Sequence, residues 1–269
     1  MKKVLVLDID NTLIEPFHAL GQRSEQALRR WLRAGHELVL ASGKSPCAFR
    51  QLTCQLQRTH GWHLASNGGV VVNIATQRCE VLAQVGRRSR ECLRLLTPFG
   101  LPVYLYQSNR IQLSCPVPAP DRQLAFLQNL QDPPVVQGEE IDFASVIKLL
   151  LFVGKRQTEL QRQLETLPLP SGLHWVRTGE DLLEIHDVHQ TKAEGLRFLA
   201  EREGWTLADI LAVGDSDNDR SMLEIVGHPY LVANASDSLK ACGWPVLPSC
   251  SQQGVAVLIE RLLKAEGSG

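Results

Sequence analysis

Apolar runs and amphipathic segments alternate along the first part of the chain. Residues 4–7, 36–41 and 61–65 are mostly apolar runs, and such runs are typical of strands buried on both faces of a parallel sheet. The segment between the first two runs predicts a helix that Ser24 caps and that continues through Arg33. Strands and helices in this order predict a parallel sheet with right-handed crossovers.

The pattern changes near residue 84 and resumes near residue 187. In between, the sequence predicts a separate set of elements, with strands at 103–106, 111–113 and 146–153, a proline-rich stretch at 115–121 and a helix ending near Leu130. A segment of roughly 100 residues with its own hydrophobic pattern has the usual size of a domain.

The alternating pattern then continues with a helix at 191–204 and strands at 210–213 and 230–232. The predicted fold class is therefore α/β: a doubly wound parallel-sheet (Rossmann-like) core with an inserted α+β cap domain. The predicted domains are a core of residues 1–83 and 187–269 and a cap of residues 84–186.

Carboxylates follow two of the predicted core strands. Asp8 and Asp10 end the first strand, and Asp215 and Asp219 follow the strand at 210–213. If the first strand is central, its carboxyl end is the point where the sheet order reverses, and all four carboxylates share one crevice. They would repel one another and take up protons unless a divalent cation compensated them, and oxygen ligands suit Mg²⁺. Read alone, Asp8 and Asp10 are also compatible with simple turn capping.

A second group of polar residues suits a phosphate. Ser42 and Gly43 stand between a strand and the helix that Ser45 and Pro46 begin, where free backbone N–H groups can bind an anion. An ordinary strand-to-helix turn explains them equally well. Lys192 opens the helix after the insertion and is the candidate to hold phosphoryl oxygens, the alternative being a surface lysine.

A metal site beside a phosphate seat suggests phosphoryl transfer. One carboxylate can attack phosphorus and form an aspartyl-phosphate. A second carboxylate, two residues on, can protonate the leaving oxygen and then activate water.

These residues together resemble the four ordered motifs of the haloacid dehalogenase superfamily of phosphohydrolases. The motif residues are Asp8-x-Asp10-x-Thr12, Ser42-Gly43, Lys192 and Gly214-Asp215-x-x-Asn218-Asp219. An insertion between the second and third motifs, and the Ser66-Asn67-Gly68-Gly69 turn, are similar to the Cof-type branch with a type IIB cap. Many relatives have Asp-Gly-Thr where this chain has Asp10-Asn11-Thr12, and Thr-Gly-Arg where it has Ser42-Gly43-Lys44.

The resemblance implies roles for these residues. Asp8 would be the nucleophile and Asp10 the general acid and base, with its backbone carbonyl on the metal. Mg²⁺ would be the cofactor. The implied metal residues are Asp8, Asp10, Asp215 and Asp219, supported by Asn218; the implied phosphate-binding residues are Ser42, Gly43 and Asn67, with Lys192 catalytic.

The resemblance further implies a phosphatase for a small phosphorylated metabolite, such as a sugar phosphate or a phospho-acid, whose identity the cap selects. The candidate specificity residues are Lys148, Arg177 and His186, with Arg110 and Tyr106 as further lining groups. Each also has a structural interpretation, which for Lys148 is snorkelling at a sheet edge.

Several other classes share part of this pattern. A phosphomutase or phosphotransferase would keep the same core, and a non-catalytic phosphometabolite sensor would keep the same residues. A true dehalogenase needs no second aspartate and no acidic metal cluster, so Asp10 and Asp215 argue against it. A receiver-like regulatory domain also phosphorylates an aspartate at the end of a parallel strand, but the cap and the residue 214–219 motif disfavour it.

Composition limits the possible partners. A net charge of -1 offers no general attraction to nucleic acid or to an anionic membrane, and no apolar run approaches the roughly 20 residues that span a bilayer. The seven cysteines are scattered without the spacing of a disulfide framework or a zinc site. We therefore expect a cytoplasmic protein, a monomer or homodimer. The resemblance implies that its partner is a small phosphorylated metabolite.

Overall fold

The structure is a computed structural model that describes residues 2–15, 18–115, 135–136, 140–154, 158–178 and 182–267. The chain forms two compact units. The first comprises Met1–Gly43, Phe49–Glu80 and Thr191–Gly269, and the second comprises Lys44–Ala48 and Val81–Gln190. The first unit is therefore built from segments far apart in sequence, with most of the second unit inserted between them.

An eight-stranded sheet forms the centre of the first unit, and its strand order is β14-β13-β12-β1-β2-β3-β4-β5. The central strand β1 pairs in parallel with β2 on one side and β12 on the other, as the apolar runs predict. The strands are β1 Val4–Leu7, β2 Glu37–Ala41, β3 Trp62–Ala65, β4 Val70–Asn73, β5 Cys79–Val81, β12 Leu211–Gly214, β13 His228–Val232 and β14 Val246–Leu247.

Burial explains why β1 is uniformly apolar. All four of its residues are buried, as is most of β2, and a strand covered on both faces has no polar side. The turn after β3 leads into β4, which pairs antiparallel with it, so the two strands form a hairpin. The short strands β5 and β14 were not predicted, since two or three residues are too few to show a pattern.

The helices of the first unit are Gln22–Arg33, Arg50–Gln55, Lys192–Glu203, Arg220–Ile225, Asp237–Lys240 and Gly254–Glu266. The prediction that Ser24 caps the first helix is wrong. That helix begins at Gln22, and Ser24 lies buried inside its first turn. The Ser24 N–H donates instead to Oε1 of Gln253 at 3.0 Å, so a side chain distant in sequence satisfies the helix end that a local hydroxyl normally satisfies.

The second unit contains a six-stranded sheet in the order β10-β11-β9-β6-β7-β8. All of its pairings are antiparallel except that of β7 with β8. The strands are β6 Val103–Tyr106, β7 Ile111–Leu113, β8 Val135–Val136, β9 Lys148–Phe152, β10 Leu173–Arg177 and β11 Leu182–Asp187, and the helices are Ser89–Leu96 and Thr158–Glu165. The predicted helix ending near Leu130 and nearly all of the proline-rich stretch lie outside the described residues.

The position of Lys148 corrects its structural interpretation. Strand β9 lies between β11 and β6, so Lys148 is not at a sheet edge and does not snorkel to solvent. Its buried Nζ donates to Oε1 of Glu184 at 2.7 Å. A cation is stable inside this sheet because a carboxylate on the neighbouring strand compensates it.

Within the described part of the chain, every helix is too short or too polar to cross a membrane.

Candidate active site

Three carboxylates converge at the carboxyl end of the central strands. Oxygens of Asp8, Asp215 and Asp219 lie within 4.8 Å of one another, and all three residues are buried. Asp8 follows β1 and Asp215 follows β12, and these strands are adjacent and parallel with Leu7 opposite Val213. The Asp8 N–H continues the pairing by donating to the Val213 carbonyl at 3.0 Å, which fixes the two strand ends side by side.

Lys192 lies inside this cluster and is fully buried, so the alternative of a surface lysine is wrong. Its Nζ donates to Oδ1 of Asp8 and to Oδ1 of Asp219, each at 2.6 Å. Burial alone would lower the pKa of Lys192, but the charges of Asp219 and Asp8 outweigh burial and raise it. The lysine is therefore a permanent cation between two carboxylates.

Asp219 organises the turn that carries Asp215. Its Oδ2 accepts the backbone N–H groups of Asp215 at 2.9 Å and Ser216 at 3.1 Å, while Oδ1 accepts from Lys192. A Cβ at position 214 would lie 2.5 Å from the Asp219 Cβ, which explains the glycine there. Both oxygens of Asp219 are thus engaged within the protein, which suits a residue that positions its neighbours.

The cluster carries more negative charge than its single lysine balances. Burial raises the pKa of Asp215 to about 6, with a hydrogen bond from Thr12 opposing and the charge of Asp219 adding to the rise. Burial and the charge of Asp219 likewise raise the pKa of Asp8 well above its ordinary value, although Lys192 opposes this. Carboxylates in this state favour a proton or a cation between them.

Thr12 has a role that the sequence did not assign. Its Oγ1 donates to Oδ1 of Asp215 at 2.7 Å, so it orients a carboxylate more than 200 positions away in sequence. Thr12 is part of the first motif, and this was the feature of the sequence that could have indicated its importance.

Asp10 lies apart from the three carboxylates. It is half-buried, and its carboxylate is not a member of the converging group. The next residue, Asn11, has φ of 63°, a left-handed conformation that asparagine tolerates better than most residues. The Asn11 carbonyl also accepts from Nδ2 of Asn234 at 2.8 Å. An asparagine thus suits the turn position where many relatives have glycine.

The predicted phosphate-binding residues lie together at the end of β2. The Ser42 carbonyl accepts the Asn67 N–H at 3.0 Å, and the Ser42 N–H donates to Leu64. A Cβ on Gly43 would lie 3.1 Å from Oδ1 of Asn67, and that oxygen accepts from Nδ2 of Asn218 at 3.1 Å. The structure therefore brings Ser42, Gly43, Asn67 and Asn218 into one group.

Close backbone packing connects this group to Lys192. A Cβ on Gly68 would lie 2.2 Å from the Thr191 carbonyl, and one on Gly195 would lie 2.9 Å from the Gly68 Cα. Thr191 caps the helix by accepting the Glu194 N–H at 3.2 Å. Two glycines thus let the turn after β3 pack against the helix end that carries the lysine, a contact that the sequence did not predict.

The candidate specificity residues lie in the second unit. His186 is buried, and its Nε2 lies 2.6 Å from Oε2 of Glu184, whose Oε1 accepts a hydrogen bond from Lys148. Arg177 is exposed and forms a two-bond pair with Glu165. Of the further lining groups, Arg110 donates to Gln107 at 2.6 Å, and the Tyr106 ring centroid lies 4.8 Å from the Lys148 Nζ.

Comparison with known proteins identifies the class. The chain belongs to the haloacid dehalogenase-like hydrolases, whose family pattern matches residues 5–259. It is 26% identical over 289 residues to the 5-amino-6-(5-phospho-D-ribitylamino)uracil phosphatase YwtE of Bacillus subtilis, an alignment that covers 98% of this chain and 99% of the relative. The family predicted from the motifs is confirmed, and the protein is an enzyme of this family, a phosphatase.

Solved structures share the fold. A haloacid dehalogenase-like hydrolase from Bacteroides thetaiotaomicron superposes with a TM-score of 0.85 at 23% identity, covering 97% of this chain and 100% of that one. A sugar phosphatase of haloacid dehalogenase subclass IIB superposes with a TM-score of 0.78 at 20% identity, covering 97% and 99%. The predicted α/β fold class is thereby confirmed.

Proposed function

We propose that this phosphatase hydrolyses a small phosphorylated metabolite with Mg²⁺, through an aspartyl-phosphate on Asp8. The observation that carries the proposal is the fully buried Lys192, bound to both Asp8 and Asp219 at 2.6 Å beside Asp215. A buried lysine in contact with two carboxylates compensates charge where a phosphoryl group with further negative charge would arrive.

Asp8 is the proposed nucleophile because Lys192 orients it while binding only one of its oxygens, Oδ1. In the first step an Asp8 oxygen forms a bond to phosphorus, and the bond from phosphorus to the ester oxygen breaks. The leaving oxygen takes a proton from the Asp10 carboxyl group. The products of this step are the aspartyl-phosphate, the free alcohol and the Asp10 carboxylate.

Asp10 then acts as the base. Its carboxylate takes a proton from water as the water oxygen bonds to phosphorus, and the bond to Asp8 breaks to release inorganic phosphate. The position of Asp10 outside the three-carboxylate group supports this role, since a general acid must gain and lose a proton without being held by the metal site.

The residues present fit a magnesium ion. Three buried carboxylates supply only oxygen ligands, and the raised pKa values of Asp8 and Asp215 reflect charge that a divalent cation would offset. Asp8, Asp215 and the backbone carbonyl of Asp10 would hold it, with Asp219 orienting the Asp215 turn. When bound, the ion would neutralise charge on the transferring phosphoryl group.

Ser42, Gly43 and Asn67 are the proposed phosphate-binding residues, with Asn218 holding Asn67 in place. The small side chains after β2 let a phosphate approach backbone N–H groups closely. Lys192 would bind a phosphoryl oxygen in addition to Asp8.

The proposed substrates are phosphate monoesters of small polyols or sugars, in keeping with the named substrate of the Bacillus subtilis relative. We propose that residues 84–186 act as the cap that selects among them. Within that cap, Arg177 is an exposed specificity candidate, since its pair with Glu165 lies at the surface, whereas Lys148 and His186 are buried and bound to Glu184.

The test is a screen of phosphorylated metabolites scored by kcat/KM, with Mg²⁺ and with EDTA. We expect Mg²⁺-dependent hydrolysis, and loss of at least about 10³-fold in kcat for Asp8→Asn. Asp237→Asn, an exposed aspartate in the same unit, is the matched control and should keep its activity. A folded protein without Mg²⁺-dependent hydrolysis of any member of the panel would contradict the proposal.

A further inference from the structure

A cavity of about 260 Å³ lies at the end of the central strands that is opposite to the acidic cluster. It is found where β1 and β2 begin, whereas Asp8 and Ser42 stand where these strands end. We call it the basal cavity, and the charged residues lining it are Lys2, Arg29, Arg33, Arg58 and Glu37. The described lining thus has four permanent cations and one carboxylate.

Arg58 is the unusual member of this lining. Its side chain is 2% exposed, and Nη1 and Nη2 have no hydrogen-bond partner among the described residues. The nearest carboxylate oxygen, Oε2 of Glu37, lies 3.9 Å from Nη2, which is too long for a hydrogen bond. A buried guanidinium whose Nη1 and Nη2 lack hydrogen-bond partners is costly, so its charge favours an anion in the adjoining cavity.

The surrounding residues keep the Arg58 guanidinium buried and its Nη atoms without hydrogen bonds. A Cβ on Gly61 would lie 2.2 Å from the Arg58 Nη2, so the glycine provides the space that the guanidinium fills. Oε1 of Glu37 is already bound to the Lys2 Nζ at 2.7 Å. Burial lowers the pKa of Arg58 to about 10, although Glu37 opposes this, so the guanidinium remains charged at neutral pH.

The other cations complete an electropositive site. Arg29 is fixed by bonds to Glu25 at 2.8 Å and to the Gln55 carbonyl at 2.7 Å. Arg33 is exposed at the end of the helix Gln22–Arg33. The arrangement combines a buried planar donor, an anchored arginine and an exposed arginine at the rim, which suits a tetrahedral oxyanion.

We propose that the basal cavity is a second anion site, which binds a phosphate group independently of the catalytic centre. A volume of about 260 Å³ is below the usual range for drug-sized ligands, so the ligand is inorganic phosphate or a compact phosphorylated metabolite. This proposal does not depend on the proposed catalytic function, because no cavity-lining residue belongs to the acidic cluster.

The test is isothermal titration calorimetry with inorganic phosphate in EDTA, using a Ser42→Ala background to weaken the catalytic phosphate seat. We expect one binding event. Adding Arg33→Glu should weaken it about tenfold or more, in keeping with the loss of a charged hydrogen bond. Arg197→Glu makes the same charge change on an exposed arginine elsewhere in the unit and should leave the affinity within about twofold.

Arg58→Gln should abolish binding, and Arg58→Lys provides a second variant if the first does not fold by circular dichroism. A parallel titration with methylphosphonate, whose phosphorus carries one carbon substituent, distinguishes the two proposed ligands. Equal affinity for methylphosphonate and inorganic phosphate indicates that the cavity accepts a compact phosphorylated metabolite. Much weaker binding of methylphosphonate indicates inorganic phosphate. The proposal is overturned if the folded Ser42→Ala protein binds neither anion, or if Arg33→Glu and Arg197→Glu weaken binding equally.

Discussion

Lys192 is the residue on which the proposed chemistry depends most. It is separated from Asp8 by 184 positions in sequence, yet the two side chains form a bond of 2.6 Å. Without the lysine, Asp8 and Asp219 would face each other as buried carboxylates with little compensation, and the pKa of Asp8 would rise further. The same side chain therefore matters for both stability and the ionised state of the proposed nucleophile.

We predict that Lys192→Met, which keeps the length and removes the charge, lowers kcat by at least about 10³-fold. It should also reduce the free energy of unfolding by roughly 3–5 kcal/mol, because it breaks a buried ion pair. Steady-state kinetics and urea unfolding measure the two effects. Lys240→Met, at a partly exposed lysine with a 3.9 Å pair, should change neither, and equal losses in both variants would refute the assigned role.

The raised pKa of Asp215, about 6 without a metal, predicts pH-dependent Mg²⁺ binding. Below this pH the carboxyl group holds a proton that the ion must displace, so Mg²⁺ affinity should fall about tenfold per pH unit as pH decreases from 6. The stability of the metal-free protein has the opposite pH dependence. It falls as pH rises from about 4 to 6, because Asp215 holds its proton more tightly in the folded state than in the unfolded state.

Calorimetry at pH 5, 6 and 7, in buffers of different ionisation enthalpy, would measure both the affinity and the proton released. A Mg²⁺ affinity that stays constant between pH 5 and 7 would contradict a shared proton in the cluster.

At the scale of elements, the site depends on one tight contact between a turn and a helix. Gly68 has φ of 85° and lies against the Thr191 carbonyl, while Gly195 lies against Gly68. The helix Lys192–Glu203 can approach the turn this closely because neither glycine has a side chain. The position of the lysine at the helix start follows from that approach.

Gly195→Ala should therefore reduce both stability and activity. Its Cβ would lie 2.9 Å from backbone atoms of Gly68, so the helix must move, and we expect a cost of roughly 1–3 kcal/mol together with a lower kcat. Gly267→Ala, where the nearest atom is 3.8 Å from the new Cβ, is the control and should be nearly neutral. Thermal unfolding and kinetics of the two variants check the comparison, and a fully active, stable Gly195→Ala protein would show that the contact is dispensable.

The same scale shows why some elements could be predicted and others could not. The strands at 103–106 and 111–113 have the predicted bounds, and the order around β1 follows from alternating apolar runs and crossover rules. The cap of the first helix could not be foreseen, because Gln253 supplies it from the far end of the chain. Lys148 was misinterpreted for a similar reason: its partner Glu184 lies on a strand 36 positions away. Local pattern predicts elements, whereas side-chain partners between distant segments require the fold.

At the scale of the whole molecule, the second unit has a charged interior of its own. Buried Glu184 binds Lys148 at 2.7 Å and His186 at 2.6 Å. Burial would raise the pKa of Glu184, but the charge of Lys148 and the bond with His186 lower it to about 2. This network is part of the second unit's stability and is distinct from the acidic cluster of the first.

This network predicts that acid weakens the second unit. Since the folded-state pKa of Glu184 lies below its ordinary value near 4.5, its contribution is complete above pH 4.5 and is lost as pH falls towards 2. Glu184→Gln should remove that pH dependence and destabilise the unit at neutral pH. Hydrogen exchange in β9 and β11, with β1 and β2 as internal references, is the measurement. Equal acid sensitivity in wild type and Glu184→Gln would assign the effect to other groups.

The discontinuous first unit has an evolutionary consequence. Between Glu80 and Thr191 the chain leaves this unit and returns to it, so the proposed catalytic residues assemble only when a loop of roughly 110 residues closes. The entropy of closing such a loop grows with the logarithm of its length, by roughly 0.6 kcal/mol per doubling. Lengthening, shortening or replacing the insert therefore changes the core's folding free energy little. With the proposed roles of the two units, a lineage can change its substrate by exchanging inserts while the flanking segments keep the proposed chemistry.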